Sequence, residues 1–207
     1  MSKRSVCGVI LAGGASRRMG TPKEMLDWGG QPLILHLVKS VLAAEIPCLV
    51  IANQQARLPV DTFKEMGVQL SADIVFSSGP ISGFCTAFRL RREEVLLFLS
   101  CDLPFVDQAQ IDLLLAKTEQ LNCWDAVVPE TEGRMQPLFA LYHRRTQDMW
   151  EEAHHSGALR ITRVVEKLRV NMLPEGYLDY WTTFNMNTPE EYRHALQERK
   201  RRDALSS

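Results

Sequence analysis

The chain is predicted to fold as an α/β protein with a largely parallel sheet and helices on both faces. Three observations predict it. Apolar runs of strand length alternate with stretches of helical period, the pattern of repeated βαβ units. The most apolar run, Val95–Ser100, lacks polar alternation and suits a central strand covered on both sides. At 207 residues, 45% apolar and 24% charged, the chain has the size and composition of one well-packed domain.

Each element has a local reason. Residues 6–11 form a first apolar strand. Pro32 opens a helix whose Leu33, Ile34, Leu37, Val38, Val41 and Leu42 recur at helical spacing. Cys48–Ala52 reads as a second strand, 61–66 as a short helix, and 68–75 contains a third strand. Ser77-Ser78-Gly79-Pro80-Ile81-Ser82-Gly83 is a turn-rich loop, and a helix is predicted over 82–92. After the central strand, Asp107 N-caps a helix with Gln110 at the capping-box position. Further strands are predicted over 124–129 and 137–142, and a helical region over 147–168. Thr188-Pro189-Glu190-Glu191 starts the last helix, with Thr as cap, Pro at the first position and Glu closing the box. No internal repeat or linker interrupts the chain, so a single domain over 1–207 is expected, with a charged, basic and frayed tail from about residue 198.

Composition narrows the function. A formal net charge of −1 provides no global field toward nucleic acid or membrane, so any anion site must be local. No apolar run approaches the ~20 residues needed to span a bilayer. Lys3 and Arg4 before an apolar run imitate the start of a signal peptide, but the run is short and no cleavage site follows. A cytoplasmic protein without nucleic-acid or membrane partners is expected. The five cysteines (Cys7, Cys48, Cys85, Cys101, Cys123) show no C-x-x-C or zinc spacing and read as buried, reduced thiols. The histidines show no ligand spacing. His154 and His155 are adjacent on a helix and face different ways.

The chemistry concentrates where strands end, the edge at which open α/β sheets hold ligands. The first strand passes into Gly13-Gly14-Ala15-Ser16-Arg17-Arg18-Met19-Gly20-Thr21-Pro22-Lys23. Glycines let backbone N–H groups approach an anion, and Arg and Lys add charge. The loop is neither a Walker A sequence nor G-x-G-x-x-G. A plain turn would explain its glycines, while a polyphosphate also explains Arg17, Arg18 and Lys23. The second strand ends at Asn53, and the third is followed by Asp73. The central strand ends at Cys101-Asp102-Leu103-Pro104. A carboxylate in that position is costly unless paired, hydrated or metal-bound, so Asp102 either caps the following turn or holds Mg²⁺ with phosphate oxygens and water. Asn185 and Asn187 share a face by alternation and either bind a ligand or make local turn bonds.

Together these segments resemble the molybdenum cofactor guanylyltransferases within the nucleotidyltransferase superfamily. The resemblance is carried by Leu11-Ala12-Gly13-Gly14-x-Ser16-x-Arg18-Met19-Gly20-x-x-Lys23, Gly79-Pro80-Ile81-Ser82-Gly83, Cys101-Asp102-Leu103-Pro104, Gln136-Pro137-Leu138 and Asn185-Met186-Asn187-Thr188-Pro189-Glu190-Glu191. It spans about residues 6–192. It departs mildly at Ile81-Ser82, where the family has Leu-Ala, and Asp73 aligns only with a one-residue shift.

The resemblance implies a Rossmann-like three-layer sandwich, the nucleotide-diphospho-sugar transferase fold. It implies transfer of GMP from GTP to a molybdopterin-type cofactor, with pyrophosphate released. Leu11, Ala12, Gly13, Gly14 and Lys23 would contact GTP, with Asn53 and Asp73 holding the nucleoside. Arg18 and Lys23 would neutralise phosphates, and Asp102 would bind Mg²⁺. Gly79, Pro80, Gln136, Asn185 and Asn187 would form the substrate-binding set. Molybdoenzymes or other cofactor-biosynthesis proteins are the implied partners. In-line displacement between two anions is mainly a matter of positioning and electrostatics, so it requires no histidine base. Thr21-Pro22 also occurs in cytidylyltransferase relatives, which leaves a CTP- or sugar-phosphate-using enzyme as an alternative. A non-catalytic GTP-binding protein that delivers cofactor is another. An oxidoreductase is disfavoured by the missing G-x-G-x-x-G.

Overall fold

The computed structural model describes residues 4–13, 21–52, 58–73, 79–158 and 160–205. Its first half alternates β1 (Val6–Ala12), α1 (Leu33–Ala43), β2 (Cys48–Ala52), α2 (Val60–Glu65), β3 (Gln69–Ala72), α3 (Pro80–Leu90), β4 (Val95–Ser100) and α4 (Gln108–Glu119). The second half contains β5 (Ala126–Thr131), β6 (Arg134–Met135), β7 (Phe139–His143), α5 (Gln147–His155), α6 (Ile161–Val165), β8 (Val170–Leu173) and α7 (Pro189–Leu205). The strands form an eight-stranded sheet in the order β3-β2-β1-β4-β7-β5-β6, with β8 beside β5.

β1, β2, β3 and β4 pair in parallel, as do β5 and β8, while β7 runs antiparallel between β4 and β5. The expected α/β class and mostly parallel sheet are therefore observed. The chain leaves β1 toward β2 on one side and returns to β4 on the other. The carboxyl ends of β1 and β4 thus flank the topological switch point, where a crevice forms.

β4 explains its own apolar run. Val95, Leu97 and Leu99 face one core with Leu37, Val41, Ile111 and Leu114. Leu96 and Phe98 face a second core with Phe84, Phe88, Tyr142 and Trp150. Both faces are covered, so alternation vanishes. Phe98 is fully buried and stacks on Phe84 with ring centroids 3.6 Å apart.

Several elements depart from expectation. α3 begins at Pro80 rather than 82, because proline's missing N–H and fixed φ suit the first helical turn. Asp107 caps α4 by accepting from the Gln110 N–H, but the Gln110 side chain accepts from the Asp179 N–H 3.0 Å away instead of closing the box. The region 147–168 is two helices, broken at Ser156-Gly157, where Gly157 takes φ 70°. β6 and β8 have no counterpart in the sequence reading. Cys101 lies in the turn after β4, and Cys123 is exposed while the other four thiols are buried.

The tail is helical through Leu205 and docked rather than frayed. Glu198 is buried beneath Arg201 and Arg202. Arg199 lies over the Trp28 ring, and Arg202 over Phe105 while bonding Asp179. No described helix is long and apolar enough to cross a membrane.

Candidate active site

The ends of β1 and β4 are locked together. Leu11 sits opposite Ser100 in the ladder, and the Cys101 N–H donates to the Leu11 carbonyl at 3.1 Å. The first turn and Asp102 therefore open at the same mouth. Gly13 takes φ 123°, a conformation an L side chain resists. Gly14, Arg17, Arg18 and Asn53 lie outside the described residues.

A cleft of about 390 Å³ occupies one side of this mouth. Leu11, Ala12, Gly13, Asp73, Gly79, Pro80, Ser100 and Leu138 all line it. α3 starts at its wall, so the partial positive charge of a helix N-terminus faces the cleft. Gly83 of α3 approaches Leu11 so closely that an added Cβ would fall 2.8 Å from a Leu11 methyl. That contact lets the helix start sit tight against β1. Asp73 is oriented by two hydroxyl donors, Thr86 at 2.7 Å and Ser82 at 2.5 Å. Ser82 and Thr86 are one helical turn apart on α3, a spacing visible in the sequence but not recognised as a pair of orienting hydroxyls. Leu138, from the Gln136-Pro137-Leu138 motif, also lines it, as does Ser100 at the end of β4, a lining residue the sequence did not single out.

The other side of the mouth is charged. Lys23, at the start of a short 3₁₀ turn (Lys23–Met25), donates to Asp102 Oδ2 at 3.1 Å and to Asn187 Oδ1 at 2.6 Å. The Lys23 and Asp102 side chains are only 16% and 15% exposed. The other Asp102 oxygen, Oδ1, is buried without a hydrogen-bond partner among the described residues. Such an acceptor is costly unless a cation or donor reaches it. The Asp102 carbonyl accepts from the Met186 N–H, which fastens the Asn187 segment to the β4 turn. Glu191 accepts from the N–H groups of Asn187 and Thr188, and Thr188 accepts in return from Glu191 N–H. The expected capping box thus also holds Asn187.

The two asparagines part company. Asn187 reaches Lys23, whereas Asn185 donates to the Thr183 carbonyl at 3.1 Å, a local turn bond. Gln136 stands across β7 from the cleft, its N–H on the Pro129 carbonyl at 2.8 Å and its side chain on Arg134. Cys101, beside Asp102, is buried, and burial pushes its thiol up to about 12, with the neighbouring carboxylate adding to the effect. Among the described residues no group of three or more His, Cys, Asp or Glu is arranged to hold a metal ion. A larger cavity of about 650 Å³ lies against α5 and α6 and shares no lining residue with the strand-end cleft.

A family model described as the MobA-like NTP transferase domain matches residues 8–171. A probable molybdenum cofactor guanylyltransferase of Bacillus cereus is 31% identical over 92% of this chain and 96% of its own length. The protein of the same description from Bacillus licheniformis is 32% identical over 86% of this chain and 90% of its own. Among solved structures, molybdopterin-guanine dinucleotide biosynthesis protein A from Archaeoglobus fulgidus superposes with a TM-score of 0.79 at 22% identity, covering 94% of this chain and 99% of that one. At that identity the superposition bears on the fold.

Proposed function

The chain belongs to the MobA-like NTP transferase family, and from that premise we propose that it transfers GMP from GTP to a molybdopterin-type cofactor, releasing pyrophosphate. It is a nucleotidyltransferase by family. The names of the Bacillus relatives support guanylyl transfer to the molybdenum cofactor. The observation that carries the proposal is the convergence of Lys23, Asp102 and Asn187 at the mouth that also holds the Gly13 cleft.

In the proposed reaction a phosphate oxygen of the acceptor attacks the α-phosphorus of GTP. The bond from that phosphorus to the bridging oxygen breaks, and pyrophosphate departs with its electron pair. Gly13 and the start of α3 would receive the triphosphate. Lys23 would offset the repulsion between two anions and orient Asp102. Asp73, preset by Ser82 and Thr86, would accept hydrogen bonds from the nucleoside. Arg18, Gly14 and Asn53 remain members of the proposed nucleotide site.

Magnesium fits the donor set. Asp102 Oδ1 is a buried carboxylate oxygen without a hydrogen-bond partner among the described residues, and Mg²⁺ is commonly held by one or two carboxylates with phosphate oxygens and water. When bound, the ion supplies Lewis-acid charge to the phosphates. Asn187 stands beside Asp102 through their shared lysine, and Asn185 and Gln136 would border the acceptor.

The test is pyrophosphate release with Mg²⁺, molybdopterin and either GTP or CTP. Release with GTP that depends on molybdopterin is expected. Release with CTP alone would make the enzyme a cytidylyltransferase. GTP binding without turnover would favour a cofactor-delivery protein.

A further inference from the structure

A third cavity, about 250 Å³, lies at the same edge of the sheet as the strand-end cleft. It is lined by Glu130 and Thr131 at the end of β5, Pro174 and Glu175 after β8, and Leu178 and Tyr180. The register places it. Val127 and Leu97 both face Leu141 of β7, and β5 runs in the direction of β4. Beyond Val127 the β5–β7 ladder ends and Glu130 pairs with Met135 of β6, so Glu130 lies at the same carboxyl-terminal end of its strand as Ser100 does of β4. Where the three strands pair, β7 separates β4 from β5 by two strand spacings, about 10 Å.

The cavity is also tied mechanically to the charged side of the mouth. Thr131 and Thr183 share a hydroxyl–hydroxyl bond of 2.9 Å, and Asn185 donates to the Thr183 carbonyl. Between the two cavities runs Gln136-Pro137-Leu138, bonded to Pro129 on one side and Ser100 on the other.

Its chemistry is selective. Tyr180 is 51% exposed, a large ring left at the surface. Its hydroxyl is committed to Glu132 at 2.9 Å, which fixes the ring's position. Glu130 is half-buried, and the side chains of Glu130 and Glu175 have no hydrogen bond or ion pair among the described residues. The lining therefore offers acceptor oxygens beside an aromatic face and an apolar leucine. A phosphate would be repelled by the two lining carboxylates, Glu130 and Glu175. A neutral flat heterocycle presenting two adjacent N–H donors would be matched, because a carboxylate accepts such a pair through both oxygens. The volume lies below the roughly 300–1,000 Å³ of drug-sized pockets, the scale of a fused bicyclic ring.

We propose that this cavity seats the pterin ring of the acceptor, with Glu130 accepting from the ring's N3–H and 2-amino group and Tyr180 flanking its face. This rests on the acceptor inferred above. The acidic lining would turn the phosphate end outward, toward Lys23 and Asp102. Glu175 forms the outer wall and strengthens the bias against anions.

The test uses the full chain and two phosphate-free probes. Pterin carries the 2-amino-4-oxo edge; lumazine replaces the 2-amino group by a carbonyl. Fluorescence titration is expected to give binding of pterin at least tenfold tighter than lumazine. Glu130→Gln is expected to weaken pterin at least tenfold, and Tyr180→Ala to weaken it while Tyr180→Phe retains it. GTP-induced thermal shifts are measured on every variant and are expected to match the wild type, which also verifies folding. Equal affinity for the two probes overturns the proposal. So do pterin affinities within twofold of wild type in both Glu130→Gln and Tyr180→Ala, or no pterin binding by a chain that binds GTP. A wild-type chain that binds pterin but not GTP would instead overturn guanylyl transfer and leave this cavity's assignment standing.

Discussion

Lys23 and Asp102, 79 residues apart, meet at 3.1 Å at the mouth between β1 and β4. Each is close to buried, so each compensates the other's charge, and Asn187 takes a second proton of the ammonium. The pairing holds the carboxylate in place through one oxygen, while its second oxygen has no hydrogen-bond partner among the described residues.

Removing the lysine should separate these roles. Lys23→Met leaves Asp102 without its counter-charge and removes positive charge from the phosphate path. Turnover is expected to fall by about 10²-fold, the scale of losing one preorganised electrostatic group. The variant should still fold, with a circular-dichroism melt showing one cooperative transition. A variant with wild-type kcat would exclude Lys23 from the reaction.

Asp73 acts through its orientation. Ser82→Ala and Thr86→Val each remove one hydroxyl donor to it. Each should raise the Kd for GTP several-fold, and Asp73→Asn should raise it by tenfold or more. Isothermal titration measures this. Unchanged affinity in all three would remove Asp73 from the nucleotide site.

The core behind the cleft has its own signature. Phe98 is fully buried and touches Phe84, Phe88 and Tyr142. Phe98→Ala should cost about 3–5 kcal/mol, the range for deleting a buried aromatic ring. Urea unfolding measures it, and a loss below about 1 kcal/mol would contradict the packing.

The docked tail predicts a pH dependence. The Arg201 guanidinium beside Glu198 holds its carboxyl at about 2, below the usual 4.5; burial opposes this and Arg202 adds to it. Because the folded value is depressed, the pair's stabilisation is present above pH 4.5 and drains as pH falls toward 2. Glu198→Gln should therefore melt below wild type at pH 7, and the two melting curves should converge by about pH 2. A gap that stays constant with pH would show that the ion pair contributes nothing.

Some of this was legible beforehand and some was not. Gly13 and Asp102 stood out because apolar runs stop abruptly at them, and a strand end in an open sheet is where ligands gather. β7 was legible as a strand, but its antiparallel direction was not, because period-two patterning carries no sense of direction. β6 is too short to show alternation. β8 (Val-Asn-Met-Leu) is half-covered and mixes polar with apolar positions, so its pattern is weak. The docking of the tail is not legible in the sequence, because its basic run looks solvated until Trp28 and Phe105, from distant segments, meet Arg199 and Arg202. Asn185 illustrates the limit of alternation: sharing a face with Asn187 did not give it the same partner.

The direct test of the central claim is single-turnover pyrophosphate release by Asp102→Ala, with GTP, Mg²⁺ and molybdopterin all saturating. We predict a loss of at least about 10³-fold against wild type, with the folded protein and its α/β spectrum intact. Release at the wild-type rate would mean that the carboxylate at the mouth of the sheet takes no part in transfer.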